Sequence, residues 1–227
     1  MSLVATTTQA MSSNQGKLAL TRSRPWAVRI FRGSLRRIVT QTRVVIWCAP
    51  PKDCVPAYPE GCVLARVAGA APADQDLAKE AMRAAGEPNG LVGPRLAHDD
   101  EFFGWLLDGR VVSFGWVTCQ DRTVGPFKLA EAPGRAFLYN FHTLDGYRGQ
   151  RLYPALLLAI RHVLGREKVA EFVIDVNSHN TASARGIEEG GFIPAAQVAF
   201  LTLFSHWRCL GSRTVVERAT SSLFRTV

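Results

Sequence analysis

The first 52 residues contain no aspartate and no glutamate, yet nine basic residues fall there: Lys17, Arg22, Arg24, Arg29, Arg32, Arg36, Arg37, Arg43 and Lys52. The 227-residue chain has 27 basic against 19 acidic residues, a formal net charge of +8. Outside the arm, 18 basic residues face 19 acidic ones, a net of −1. The charge therefore belongs to the arm, which weakens any argument that the folded body itself is built to grip nucleic acid. Cysteine is sparse as well: Cys48, Cys54, Cys62, Cys119 and Cys209 form no CxxC pair and no Cys/His spacing for zinc. Their scatter and odd number exclude a disulfide framework and fit a reducing compartment. No apolar run reaches transmembrane length, and no signal-peptide core opens the chain. There is no internal repeat. What remains, 47% hydrophobic and 20% charged, is an ordinary soluble composition with enough apolar residues for a substantial core.

The chain is organised around Phe137 to Leu158. Phe137-Leu-Tyr-Asn-Phe-His-Thr143 alternates aromatic and polar residues as a strand does. Asp145 to Arg151 is a turn, and Leu156, Leu157, Ile160, Val163 and Leu164 follow at helical spacing. Pro154 suits the first turn of that helix, where an N–H has no intrahelical acceptor. A strand running straight into a helix aims unpaired N–H groups and the positive end of the dipole at one point, a ready anion site. Arg148 and Arg151 add charge to it, and Gly149 permits close approach of a ligand.

A second segment follows. Phe172 to Asn177 reads as a buried strand, Asn180 as the N-cap of a short helix, and Gly190-Gly191 as its stop. Together the two segments resemble the GNAT superfamily of N-acetyltransferases. Tyr147-Arg148-Gly149 and Ala155-Leu156-Leu157 match its pyrophosphate loop, and Asn180 with Phe192 matches its "N-x-x-S/A … GF" segment. Arg151 and Tyr153 stand where the family most often has glycine. Ile187 stands where it often has a tyrosine that protonates the leaving thiolate. The resemblance covers roughly Gly61 to Trp207.

Residues 1 to about 23 are Ser/Thr/Gln-rich, a composition typical of disorder. From Pro25 to Val39, Trp26, Ile30, Phe31, Leu35, Ile38 and Val39 share one broad helical face and Arg29, Arg32 and Arg36 the other. Such a basic amphipathic helix docks on the domain, lies on an anionic membrane surface, serves as a transit peptide or acts as a nucleic-acid arm. Arg43 to Cys48 reads as a strand, closed by Ala49-Pro50-Pro51. We divide the chain into a basic N-terminal extension over 1–60 and an acyltransferase-like domain over 61–227. Within the latter, Cys62 to Val67 is a strand, Asp74 to Ala85 a helix, and Gly86 to Pro94 a loop. Glu101 to Thr118 is a hairpin turning at Asp108-Gly109. Asp121 to Gly134 is a polar loop, and Ala195 to Trp207 holds one or two further strands.

The resemblance implies an α/β (α+β) fold with a mixed, mostly antiparallel central sheet flanked by helices. It implies acetyl-CoA, or another acyl-CoA, as cofactor and a small-molecule or peptide amine as acceptor. Pyrophosphate would rest on Arg148, Gly149, Gln150, Arg151, Leu152 and Tyr153, and the pantetheine arm along Phe141, His142 and Thr143, with Asn180 and Ser183 nearby. His142 needs the least pKa adjustment to act as base; Glu101 comes next, then Tyr139 and Asp145, and Ser183 or water is the candidate acid unless the thiolate leaves unprotonated. No metal and no nucleic-acid partner are expected. The expected location is cytoplasmic, or peripheral at a membrane through residues 25–39, and the oligomeric state stays open, a homodimer included. The rival reading is a non-catalytic acyl-CoA-binding sensor or scaffold of the same fold.

Overall fold

The computed structural model describes residues 39–69, 72–124, 127–129, 132–203 and 206–215. The amphipathic helix expected over 25–39 lies outside them except for Val39, which begins a strand. In chain order the strands are β1 (Val39–Ala49), β2 (Cys62–Val67), β3 (Glu101–Leu107), β4 (Arg110–Thr118), β5 (Arg122–Val124), β6 (Phe127–Leu129), β7 (Arg135–Thr143), β8 (Glu171–Asn177), β9 (Ile193–Leu203) and β10 (His206–Val215). The helices are α1 (Pro72–Ala84), α2 (Val92–Ala97), α3 (Leu152–Arg166) and α4 (Thr181–Glu189). Eight strands form one sheet in the order β10-β9-β1-β8-β7-β4-β3-β2, and β5 and β6 pair apart from it. Every neighbouring pair in the sheet is antiparallel except β7 with β8. This is the mixed, mostly antiparallel sheet expected.

The β3–β4 hairpin turns where the sequence places it. Asp108 and Gly109 both have positive φ (50° and 76°), the backbone a two-residue I′ turn requires. One face of the sheet is covered by α3, whose Leu156, Leu157 and Ile160 are fully buried against Phe103, Trp105 and Phe172. The other face is covered by α1 and α2, through Met82, Val92 and Leu96 on Phe102, Phe114 and Trp116. Burying each such side chain contributes about 1.5–3 kcal/mol, so both layers are held by packing rather than by helix propensity. Buried Arg161 on α3 donates to Pro50 O (2.8 Å) and Gly190 O (2.6 Å), tying the exits of β1 and α4 to one helix.

Three segments differ from the sequence reading. β1 lies between β8 and β9 and pairs with both, so the strand that the sequence reading places in the extension runs inside the eight-stranded sheet. Its run Val44-Val45-Ile46-Trp47 is nearly continuous in apolar residues because both faces are covered, as on an internal strand. The segment Asp121 to Gly134, expected as loop, carries the β5–β6 hairpin, whose Val124 and Leu129 are buried on Phe137. Gly86 to Pro94 likewise contains the start of α2.

Candidate functional site

Among the described residues β7 and β8 are the one parallel pair, and the pair opens. β7 and β8 are in register from Arg135/Glu171 to Leu138/Ile174, and beyond those residues they part. At the same level β7 carries a bulge. Phe114 pairs with His142 and Trp116 with Tyr139, so Asn140 and Phe141 together oppose Gly115. Asn140 takes a left-handed backbone (φ 52°) to accommodate it. A Cβ on Gly115 would lie 2.2 Å from the Phe141 ring, so the bulge and the glycine require each other. The extra residue also resets the alternation of the strand. Leu138 and Phe141 face α3, whereas Tyr139 packs on the α1–α2 face and His142 stacks on Phe114 there, ring centroids 5.3 Å apart.

Above this opening a groove of about 520 Å³ runs between the N-terminal ends of α3 and α4. Its lining includes Phe141, His142, Thr143, Arg148, Gly149, Arg151, Leu152, Tyr153, Asn180 and Ser183. Of the expected cofactor-binding residues only Gln150 is not on its wall; it lies in the same turn.

The rim of the groove is an anion cup. The chain enters α3 through Gly149 (φ 80°) and Arg151 (φ 58°), and no side chain caps the helix. Among the described residues the amides from Gly149 to Tyr153 have no acceptor, and Pro154, third in the helix, has no N–H to satisfy. Trp105 Nε1 donates to Leu152 O (3.0 Å) and fixes the start of the helix. Arg148 bonds Thr143 O (3.3 Å) and Asp145 (2.8 Å), which leaves most of its guanidinium in solvent beside the cup. Arg151 is exposed, 4.0 Å from Glu189, which also binds Arg185 (3.0 Å). Arg151 takes the left-handed backbone that glycine adopts most readily, with a cation added.

Tyr153, the other departure, is compensated from α4. A Cβ on Gly186 would come 2.5 Å from its ring, so the phenol lies where only glycine leaves room. Its hydroxyl is 3.4 Å from Ser183 Oγ and its ring 5.3 Å from Phe141. Burial pushes its pKa up to about 12, so the phenol keeps its proton at neutral pH. Ile187, in the place of the family's tyrosine, is fully buried. Asn180 is a cap: its Oδ1 accepts from Ser183 N (3.0 Å) while the residue borders the groove.

The structure separates the first two base candidates. Glu101 is gripped by Arg66 through two bonds (2.6 and 3.0 Å), and Arg66 also grips Glu167, just past the far end of α3. Glu101 therefore lies toward the other end of α3 from the cup and is not on the wall of the groove. His142 is at the opening. Its Nε2 is 3.2 Å from Glu87 Oε1 and 3.0 Å from the Asn140 amide. Glu87, Asn140, Tyr139 and Asp100 join it on the α1–α2 face, with Tyr139 Oη donating to Asp100 Oδ2. Burial, and then that bond, raises the Tyr139 pKa. Glu87 and Asp100 carried no local sequence signal; the bulge brings them together with β7. Among the described residues no His/Cys/Asp/Glu group is arranged to hold a metal ion.

No protein-family model matches the sequence, and no curated protein matches it. Solved structures do. The chain is similar to a GCN5-related N-acetyltransferase from Sphaerobacter thermophilus (TM-score 0.51, 15% identity, 78% of this chain and 56% of that one). It is similar to one from Kribbella flavida (0.50, 19%, 78% and 63%). A GNAT-family acetyltransferase from Colwellia psychrerythraea matches as well (0.51, 14%, 77% and 60%). The chain thus spans under two thirds of the length of each. With a parallel pair parting beside an uncapped helix and a bulge at the parting, its fold is that of the GCN5-related N-acetyltransferases.

Proposed function

We propose that the protein is an acyl-CoA-dependent N-acyltransferase that moves an acetyl group from acetyl-CoA to a primary amine by direct attack in a ternary complex. The carrying observation is the cup of unsatisfied amides from Gly149 to Tyr153, which with Arg148 and Arg151 fits a pyrophosphate. Bound there, an acyl-CoA supplies an activated thioester. The groove below the cup leads to the parting of β7 and β8, so Phe141 and Thr143 border the pantetheine path. The bulge frees β7 backbone from the β4 ladder at this depth and offers an N–H to the acyl oxygen.

The amine approaches from the α1–α2 face. Its nitrogen forms the C–N bond as the C–S bond breaks, and the electron pair of that bond leaves with sulfur. His142 accepts the amine proton, directly or through one water, and Glu87 stabilises the resulting imidazolium. Tyr153, which holds its proton and bonds Ser183, is the donor to the thiolate in place of the residue at Ile187.

The second reading, binding without turnover, is favoured by Ile187, a fully buried side chain with no proton to give where the family often has its tyrosine acid. Calorimetric titration with CoA, followed by acetyl-CoA and a panel of amines with thiol detection, separates the two. We expect CoA binding that Arg148→Gln plus Arg151→Gln weakens, and amine-dependent thiol release. Binding without release supports the second reading; no retention of CoA at millimolar concentration refutes both.

A further inference from the structure

We propose that the acceptor is a small amine bearing a carboxylate a few bonds from its nitrogen, and that Arg95 holds that carboxylate. The proposal rests on the acyl-transfer reading and names its second substrate. A cavity of about 330 Å³ opens on the α1–α2 face beside Tyr139, with Arg95, His98, Asp100 and Arg122 on its wall. Most of its charges are already matched. Arg122 lies on the Tyr139 ring (4.2 Å) with its Nε 3.5 Å from Asp175 Oδ1. Asp100 accepts the Tyr139 hydroxyl, and Asp121 at the rim has an interaction of its own.

Arg95 is different. Among the described residues it has no carboxylate within 4.0 Å. Its guanidinium lies over the rings of Trp116 (4.9 Å) and Tyr139 (5.2 Å), half-buried and held in place by them. With its amide turned to satisfy both neighbours, Asn140 presents its carbonyl 3.0 Å from Arg95 Nη1 and 3.3 Å from Nη2 and its NH₂ to His142 Nε2, while Met82 Sδ lies 3.9 Å from Nη1. A neutral carbonyl accepts an N–H but leaves the charge unmatched, and a guanidinium has five N–H groups in a fork suited to carboxylate. Arg95 thus carries the unmatched charge on this wall, and a ligand carboxylate supplies its counterion.

Position matters as much as charge. Asn140 is the bulge residue at the opening, so a carboxylate on Arg95 sits beside the point where the amine must arrive. Only a short spacer joins the two groups. An amine with no anion leaves Arg95 unmatched, and a long spacer carries the nitrogen past the opening.

The test uses the full chain with acetyl-CoA and matched acceptors: glycine, β-alanine and 4-aminobutyrate against their carboxamides, with thiol release as readout. We expect kcat/KM at least about tenfold higher for the carboxylates. Arg95→Gln should erase that preference by raising KM for carboxylates about tenfold or more, with kcat and CoA affinity little changed. Arg95→Lys, which keeps the charge, should restore part of it and controls for folding. Equal use of both series, preference for carboxamides, or an unmoved KM in Arg95→Gln overturns the proposal. Turnover of neither series overturns it too; CoA titration then reports separately on the cofactor, since retained CoA leaves that reading standing and lost CoA sinks both.

Discussion

Replacing Gly115 by alanine perturbs the bulge at its one point of contact. The added Cβ would meet Phe141 Cε1, Cδ1 and Cζ at 2.2, 2.3 and 2.5 Å. The shortest of these is roughly 1.3 Å inside the favourable carbon–carbon separation of about 3.5 Å. An aromatic ring cannot flex that distance away, so either it swings toward the groove or the bulge shifts. Overpacking of this kind costs about 1–3 kcal/mol, and a chain of this length loses about 2–4 °C of Tm for each kcal/mol. Because Phe141 is part of the groove wall, CoA affinity should fall as well, by about tenfold if ~1.4 kcal/mol of the strain appears in binding. Urea melts and calorimetry measure the two effects. Phe141→Ala in the Gly115→Ala background removes the clash, so the double variant should be more stable than the sum of the single losses by about 1–3 kcal/mol. A Gly115→Ala protein that melts and binds CoA like the parent, or a strictly additive cycle, would refute the bulge and its part in the groove.

Three further outcomes are expected. Glu101→Gln should cost about 1 kcal/mol or less by breaking a partly exposed pair with Arg66, and should leave thiol release unchanged; abolished release would return Glu101 to the site. Arg151→Gly should melt within about 1 kcal/mol of the parent, since glycine suits φ 58° and its added flexibility offsets the relief, while CoA binds more weakly and with less salt dependence; unchanged binding would remove Arg151 from the cup. At alkaline pH the fold should weaken. Burial raises the Cys48 thiol from 9.0 to about 12 and the Tyr153 phenol from 10.0 to about 12. Both native forms keep protons that the unfolded chain has released, so their stabilisation is complete below pH 9 and lost between pH 9 and 12. Cys48→Ala should flatten the early part of that decline in chemical melts against pH, and an unaltered slope would contradict the burial.

Local chemistry decided a good deal in advance. Asp108-Gly109 dictated a turn because few other residue pairs accept two positive φ values in succession. Pro154 and the apolar spacing after it marked the start of α3, and Asn180 marked that of α4, because capping is settled within four residues. The cup was readable for the same reason: unsatisfied amides follow from where a helix begins. Arg151 and Tyr153 looked like defects only in isolation. One keeps the left-handed backbone, and the other is matched by Gly186, thirty-three residues away.

What the tertiary structure alone decided is which side chains meet. Alternation along Phe137–Thr143 could not say where His142 points, because the bulge that resets it depends on Gly115 in another strand. Glu101 had the right chemistry in the wrong place; its partner Arg66 lies 35 residues earlier and Glu167 at the far end of a helix. β1 read as an appendage until its pairing with β8 and β9 put it inside the sheet. Turns, caps and helix starts are fixed by forces reaching a few residues along the chain, so they are written in short words of sequence. A base beside its carboxylate, or a cation left without one, depends on contacts between distant segments, and only folding brings those together.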